Sequence, residues 1–282
     1  MKTPAKVNFY LEVTGIQPNG YHTIRTLFLP LKNLVDTVDI ETKNHPGITM
    51  DCNKPESELS AGPENLCIRA ASSFSTHFNI SPCWHIHLQK AIPLTAGLGG
   101  GSSDAAAVFR ILAKRYHLEE HPDLPVIAAK LGADIPFFLQ DKPAVGTGIG
   151  DILTPLSPAV APLDLLVINP LFPLPVQWVY KHAYRPGTPA IPDFNQLLKI
   201  WGTATPRALA SFMWNDLEAC VFDKFPILPI IKQRLLDFGA LNVLLSGSGP
   251  TLFALCDHNS QELAQKLAAE FGNSIKLFCC QA

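Results

Sequence analysis

Nothing in this chain carries a strong electrostatic field. Twenty-two basic residues face 24 acidic ones, for a formal net charge of −2. No block of like charge stands out, so there is no basic surface to suggest nucleic acid. No internal repeat is visible. The opening residues, Met1 to Asn8, lack the apolar run of a signal peptide. The most membrane-like stretch, Ile152 to Val176, is broken by Pro155, Pro158, Pro162, Pro170, Pro173, Pro175 and Asp164. That excludes a spanning helix, and no membrane partner is expected. Seven cysteines fall without a framework spacing and without a Cys-x-x-Cys pair. A reduced, cytoplasmic protein is the simplest expectation. Adjacent Cys279 and Cys280 read as terminal-strand residues rather than metal ligands.

What is present is apolar mass: 47% of 282 residues are hydrophobic and the mean hydropathy is +0.16. Such a chain buries a sizeable core, as one large domain or two ordinary ones. The most informative stretch is Pro93-Leu94-Thr95-Ala96-Gly97-Leu98-Gly99-Gly100-Gly101-Ser102-Ser103-Asp104, followed by alanines that read as a helix through Ala113. Four glycines in five residues present backbone N–H groups with no Cβ in the way. Ser102, Ser103 and Asp104 are of the types that favour a first helical turn. A glycine loop feeding a helix N-terminus attracts phosphate through orphan N–H groups and the helix dipole. No lysine precedes the serines, so this is not a P-loop. Ser102 stands where the dinucleotide fingerprint needs its third glycine.

Strands are expected at Lys6–Val13, Tyr21–Leu31, Thr37–Ile40 and Ile48–Met50, with an Asn19-Gly20 turn between the first two. A helix from Asn65 to His77 and a strand from His85 to Gln89 lead into the glycine loop. A short helix over Leu124–Leu131 stops at Gly132. Beyond the proline-rich stretch come a buried strand at Asp164–Ile168, a helix at Ile227–Phe238, strands at Asn242–Ser246 and Thr251–Leu255, a helix at Gln261–Phe271 and a strand at Ile275–Phe278. That is the split βαβ order of a ferredoxin-like unit. The domain boundary is placed near Thr154, giving domains 1–154 and 155–282.

Three segments then stand in order: Pro4-Ala5-Lys6-Val7-Asn8, the glycine loop, and Ser246-Gly247-Ser248-Gly249-Pro250-Thr251. This trio resembles the motifs of the GHMP kinases, a family of small-molecule kinases. The resemblance runs to about Leu255, with a weak match over Thr188–Asp223. It implies an α+β fold, with an N-terminal ribosomal-protein-S5-like ATP-binding domain, a C-terminal ferredoxin-like domain and the active site in the cleft between them. ATP and Mg2+ are the implied cofactors, with the metal ligands left unassigned. Asn19-Gly20-Tyr21-His22-Thr23 and Leu131-Gly132-Ala133-Asp134-Ile135-Pro136 narrow the match. They imply 4-diphosphocytidyl-2-C-methyl-D-erythritol as acceptor, phosphorylated at its 2-hydroxyl on the non-mevalonate route to isoprenoids. Another acceptor of the family, such as homoserine, and a non-catalytic ligand sensor are the alternatives.

By the same resemblance Asp134 is the base for the acceptor hydroxyl and Lys6 its electrostatic partner. Pro136 is expected to hold Asp134 in an extended loop; taken alone, Asp134 reads more readily as a turn aspartate bonding its own backbone, and Lys6 as a surface lysine. Asn65, Leu66, Lys90 and Pro93 are implied to border adenine and ribose. Alone, Asn65 reads equally as a helix cap, Leu66 as a core residue and Lys90 as a solvated lysine. Gly97, Leu98, Gly99, Gly100, Gly101, Ser102 and Ser103 are implied to take the phosphates, with a serine hydroxyl as a metal contact. Asp104, often asparagine in the family, would cap the helix or face the metal. Tyr21, His22 and Tyr180 are implied to hold the cytosine, and Gly247, Ser248 and Gly249 to bring a second glycine turn to the acceptor.

Overall fold

The computed structural model describes residues 1–55, 58–140, 142–157, 162–183 and 191–282. In chain order the elements are β1 (Lys2–Ile16), β2 (His22–Thr42), β3 (Gly47–Cys52), α1 (Leu66–Phe78), β4 (Cys83–Gln89), α2 (Gly100–Tyr116), α3 (Asp123–Leu131), α4 (Ile135–Gln140), β5 (Ala144–Thr147) and β6 (Ile152–Pro155). Then follow β7 (Asp164–Asn169), α5 (Val176–Ala183), α6 (Phe194–Ile200), α7 (Pro206–Ala210), β8 (Trp214–Asn215), α8 (Glu218–Lys224), α9 (Ile227–Asp237), β9 (Asn242–Leu245), β10 (Leu252–Leu255), α10 (Ser260–Phe271) and β11 (Lys276–Gln281).

Two compact units share these elements. The first holds Met1–Ala5, Leu34–Leu94 and Gly99–Lys142; the second holds Lys6–Asn33, Thr95–Leu98 and Pro143–Ala282. In the first unit β4 lies between β3, which runs parallel to it, and the later part of β2, which runs antiparallel. Alternate residues of β4 (Trp84, Ile86, Leu88) are buried, as the period of a strand with one wet face requires. Phe74 of α1 packs against Trp84 of β4 and Phe109 of α2, with ring centroids 6.4 and 6.5 Å apart. Helix α1 starts where Asn65 accepts a hydrogen bond from the Cys67 N–H at 2.9 Å.

In the second unit four antiparallel strands run in the order β11-β7-β10-β9. Ile168 pairs with Leu252, and Leu244 with Phe253. Leu166, Ile168, Val243, Leu245 and Ala254 pack with Leu228, Ile231 and Leu235 of α9 and Leu263 and Leu267 of α10. Leu165 and Val167, on the opposite face of β7, are buried as well. That is why β7 reads as an unbroken apolar run. β1 pairs with β8 in parallel, and the early part of β2 pairs with β5.

The strands expected at Tyr21–Leu31 and Thr37–Ile40 are one continuous strand, β2, because Lys32 and Asn33 are simply its exposed residues. Part of the weakly matched segment, residues 188–190, lies outside the described residues. The remainder contains α6, α7, β8 and α8.

Candidate active site

The glycine loop contributes to both units. Gly97 has φ +74°, and a Cβ there would lie 2.4 Å from the Ser246 carbonyl oxygen and 2.8 Å from that of Gly249. Only glycine permits this approach of two backbones. Ser246 Oγ donates to the Gly97 carbonyl at 3.0 Å. The Gly247–Gly249 turn is held from behind by Asn215, whose Nδ2 donates to the Leu245 and Gly247 carbonyls at 2.8 Å each. Nothing in the sequence singled out Asn215.

Lys6 is buried rather than a surface lysine. Its Nζ donates to Asn8 Oδ1 at 2.7 Å and stands 5.2 Å from the centroid of the Phe28 ring. Asn8 in turn donates to Thr26 Oγ1 at 2.8 Å, and Thr26 donates to the Tyr10 carbonyl at 2.6 Å. Residues 6, 8 and 10 share one face because side chains alternate along a strand. Lys6 N–H donates to the Leu98 carbonyl at 2.9 Å. A Cβ on Gly247 would lie 3.2 Å from Asn8 Oδ1 and 3.5 Å from Lys6 Nζ. The structure thus gathers Lys6, Gly97, Leu98 and Gly247 within the second unit.

Tyr21 is exposed and precedes β2, which begins one residue later than expected; its N–H bonds Asn19 Oδ1 at 3.0 Å. The His22 and Tyr180 rings lie 5.5 Å apart, tilted by 42°.

In the first unit α2 begins at Gly100, two residues before Ser102, and its N-cap is Gly99 at φ +69° with no side-chain cap. The N-cap glycine thus offers no side chain to the first N–H groups of α2, those of Gly100, Gly101 and Ser102. Ser103 is fully buried: its Oγ donates to the Pro4 carbonyl at 2.6 Å and meets Thr3 Oγ1 at 2.5 Å. Ser102 is half-buried, and its Oγ lies 3.9 Å from where a Cβ on Gly132 would stand. Leu66 Cδ1 would meet a Cβ on Gly101 at 3.4 Å. Pro93 is half-buried in the loop before it. Asp134 is not in an extended loop. It is half-buried in a turn closed by the Ile135 N–H on the Gly132 carbonyl at 3.1 Å, and α4 starts directly after it. Pro136 sits in the first turn of that helix, where its missing N–H costs nothing.

Lys90 and Asp104 belong to one buried charged cluster with Asp36. Lys90 is buried, not solvated. Its Nζ bonds Asp36 Oδ2 and lies 2.7 Å from Asp104 Oδ2. Its backbone N–H donates to Asn53 Oδ1 at 2.7 Å. Asp36 Oδ1 accepts from the Ala91 and Ile92 N–H groups at 2.6 and 2.9 Å. Asp104 therefore bonds Lys90 rather than capping α2. Burial opposes charge on Lys90, but the two carboxylates outweigh it and hold the ammonium above its ordinary range. Burial first, and Asp36 in addition, push the Asp104 carboxyl up to about 7 against the pull of Lys90. Among the described residues Asp104 Oδ1 has no hydrogen-bond partner.

A consequence for stability follows. Between about pH 4 and 7 folded Asp104 keeps a proton that the unfolded chain has released, so its contribution to stability falls as pH rises through that window. Asp104→Asn removes this loss while keeping the shape. Its melting temperature relative to wild type should be higher at pH 8 than at pH 5. Calorimetry at the two values checks it, and parallel pH profiles would contradict it.

The first unit thus offers an uncapped helix N-terminus and a half-buried carboxylate just before a helix, the second a buried lysine, and comparison with known proteins gives the family. The model for the GHMP kinases N terminal domain matches residues 65–142, and that for GHMP kinases C terminal matches 203–273. The chain belongs to the GHMP kinase family. It is 39% identical to the 4-diphosphocytidyl-2-C-methyl-D-erythritol kinase of Chlorobium chlorochromatii, over 97% of this chain and 94% of that one. It is 40% identical to the kinase of the same name from Solidesulfovibrio magneticus, over 90% and 87%. Among solved structures, a 4-(cytidine 5'-diphospho)-2C-methyl-D-erythritol kinase superposes with a TM-score of 0.81 at 34% identity, covering 100% of this chain and 98% of that one.

Proposed function

We propose that the chain transfers the γ-phosphoryl group of ATP to the 2-hydroxyl of 4-diphosphocytidyl-2-C-methyl-D-erythritol, giving the 2-phosphate and ADP. The observation that carries this is near full-length identity of 39% to a relative bearing that activity in its name. The step places the protein on the non-mevalonate route to isoprenoids. A cytoplasmic location is supported by seven free cysteines and by the absence, among the described residues, of a helix long and apolar enough to cross a membrane. The boundary near Thr154 falls between the two matched segments.

Phosphoryl transfer asks a protein for alignment and charge stabilisation rather than covalent chemistry. The uncapped N–H groups of Gly100, Gly101 and Ser102, with the loop from Gly97, cradle the phosphates. Leu66 and Pro93 border the nucleotide. Asn65, Lys90 and Ser103 act behind that surface, since their polar groups are already bonded to the fold. Magnesium takes oxygen ligands and keeps several waters, so the half-buried Ser102 hydroxyl together with the phosphates suits it. When bound it neutralises triphosphate charge. Asp134 accepts the proton of the acceptor hydroxyl. Lys6, desolvated and fixed on Asn8, supplies positive charge that favours the ionised oxygen. Tyr21, with the His22–Tyr180 pair, stacks on the cytosine, and the Gly247–Ser248–Gly249 turn backs the acceptor.

ADP release on adding the purified acceptor tests the reading, with homoserine assayed in parallel. Binding of both ligands without ADP would overturn it, as would equal turnover of homoserine. Tyr21→Ala should raise the acceptor's KM by about 5- to 150-fold, the equivalent of one lost base stack. The KM for ATP should be little changed.

A further inference from the structure

On the wet face of the first unit's sheet, His85 and His87 alternate along β4 and so point the same way. The register sets Asp51 of β3 opposite His87, and Thr49 opposite His85; on the other side Glu41 of β2 lies opposite His85. His85 Nε2 and His87 Nδ1 both converge on one oxygen, Asp51 Oδ2, at 3.0 and 2.9 Å. The three candidate ligand atoms all lie within 4.8 Å of one another. Each imidazole is also held from outside. His85 Nδ1 bonds Thr49 Oγ1 at 2.7 Å, and His87 Nε2 lies 3.6 Å from Glu41 Oε1.

We propose that Asp51, His85 and His87 bind one divalent transition-metal ion of the zinc, nickel or cobalt class. Two imidazoles and one carboxylate make a borderline donor set that suits these ions rather than magnesium or calcium, which take oxygen. Ligands about 2.0–2.2 Å from a tetrahedral zinc stand about 3.3–3.6 Å apart, so the two nitrogens need to draw back from Asp51 Oδ2 by only a few tenths of an ångström. The outer bond to Thr49 fixes which nitrogen of His85 faces inward, as outer partners do in known metal sites, and Glu41 lies on the outer side of His87. The cluster is half open, with Asp51 exposed, which leaves a coordination position for water. Among the described residues β3 pairs only with β4. A metal bridging Asp51 to His85 and His87 would clip that edge strand in place.

The test titrates ZnCl2, NiCl2 and, separately, MgCl2 into the untagged full-length chain with its thiols kept reduced. Wild type should take up one more equivalent of zinc and of nickel than the double variant His85→Gln/His87→Gln, and magnesium should not compete. Thr49→Val should weaken zinc binding by about tenfold. A second readout needs no variant: bound zinc should slow carbethoxylation of His85 and His87 by diethylpyrocarbonate, followed by peptide mass spectrometry. Identical titrations of wild type and double variant would overturn the proposal, and so would modification of both histidines at the same rate with and without zinc.

Discussion

Asp134→Asn is expected to lower kcat by about 10²- to 10⁴-fold while the KM for ATP stays within a few-fold. The amide keeps the size and hydrogen-bonding reach of the carboxylate but takes no proton. A loose phosphoryl-transfer transition state places only part of the catalytic burden on the base, which argues for the lower end of that range. The turn around Asp134 is closed by the Ile135 backbone N–H on the Gly132 carbonyl, a bond the substitution does not touch. The melting temperature should therefore hold. Steady-state kinetics beside a melting curve separates the outcomes: a turn-forming aspartate would lower the melting point and spare kcat. Wild-type turnover would remove Asp134 from the base role.

Gly97→Ala should be the most damaging change in the phosphate loop. A methyl group there meets backbone carbonyl oxygens at 2.4 and 2.8 Å, and backbone cannot step aside as the end of a flexible side chain can. The residue also sits at φ +74°, where alanine is strained. Together these cost about 2–4 kcal/mol, or about 5–10 °C in melting temperature. Affinity for ATP should fall as well, because relieving the clash moves the loop away from Ser246. Gly100→Ala offers the contrast. Its Cβ would meet the Ile92 Cγ2 methyl at 3.0 Å and Lys90 Nζ at 3.1 Å, side-chain atoms rather than backbone, at a position with ordinary helical backbone. An equal loss in both variants would mean that a methyl group anywhere in the loop is harmful and would discount the carbonyl contact at Gly97.

The sequence was a good guide wherever periodicity or turn chemistry acts locally. The ferredoxin-like order from β7 to β11 was legible because each strand is a short apolar run bounded by helix signals. The glycine loop was legible from its composition alone as a turn that feeds a helix N-terminus. Asn8 had a signal too: on a strand, two residues from Lys6 means the same face. Asp36 and Asn215 had none. Their roles come from pairings across 54 and 32 residues, and no local pattern encodes those distances. The burial of Lys90 and Asp104 was hidden for the same reason, since a lysine looks solvated until its two carboxylates are found. Asp134 was placed in extended chain because Pro136 disfavours helix before it, yet proline is well tolerated in a helix's first turn.

Strand β1 carries a further implication, for the time during which the chain is made. One edge of β1 is closed by β8, and the bond from the Val13 N–H to Asp216 spans 203 residues. At about 5–20 residues per second, a ribosome adds that length in about 10–40 s. Throughout that interval Phe9 and Leu11, both buried in the finished protein, belong to a strand with an open edge. The strand that carries Lys6 thus leaves the ribosome long before the segment that closes its edge is made.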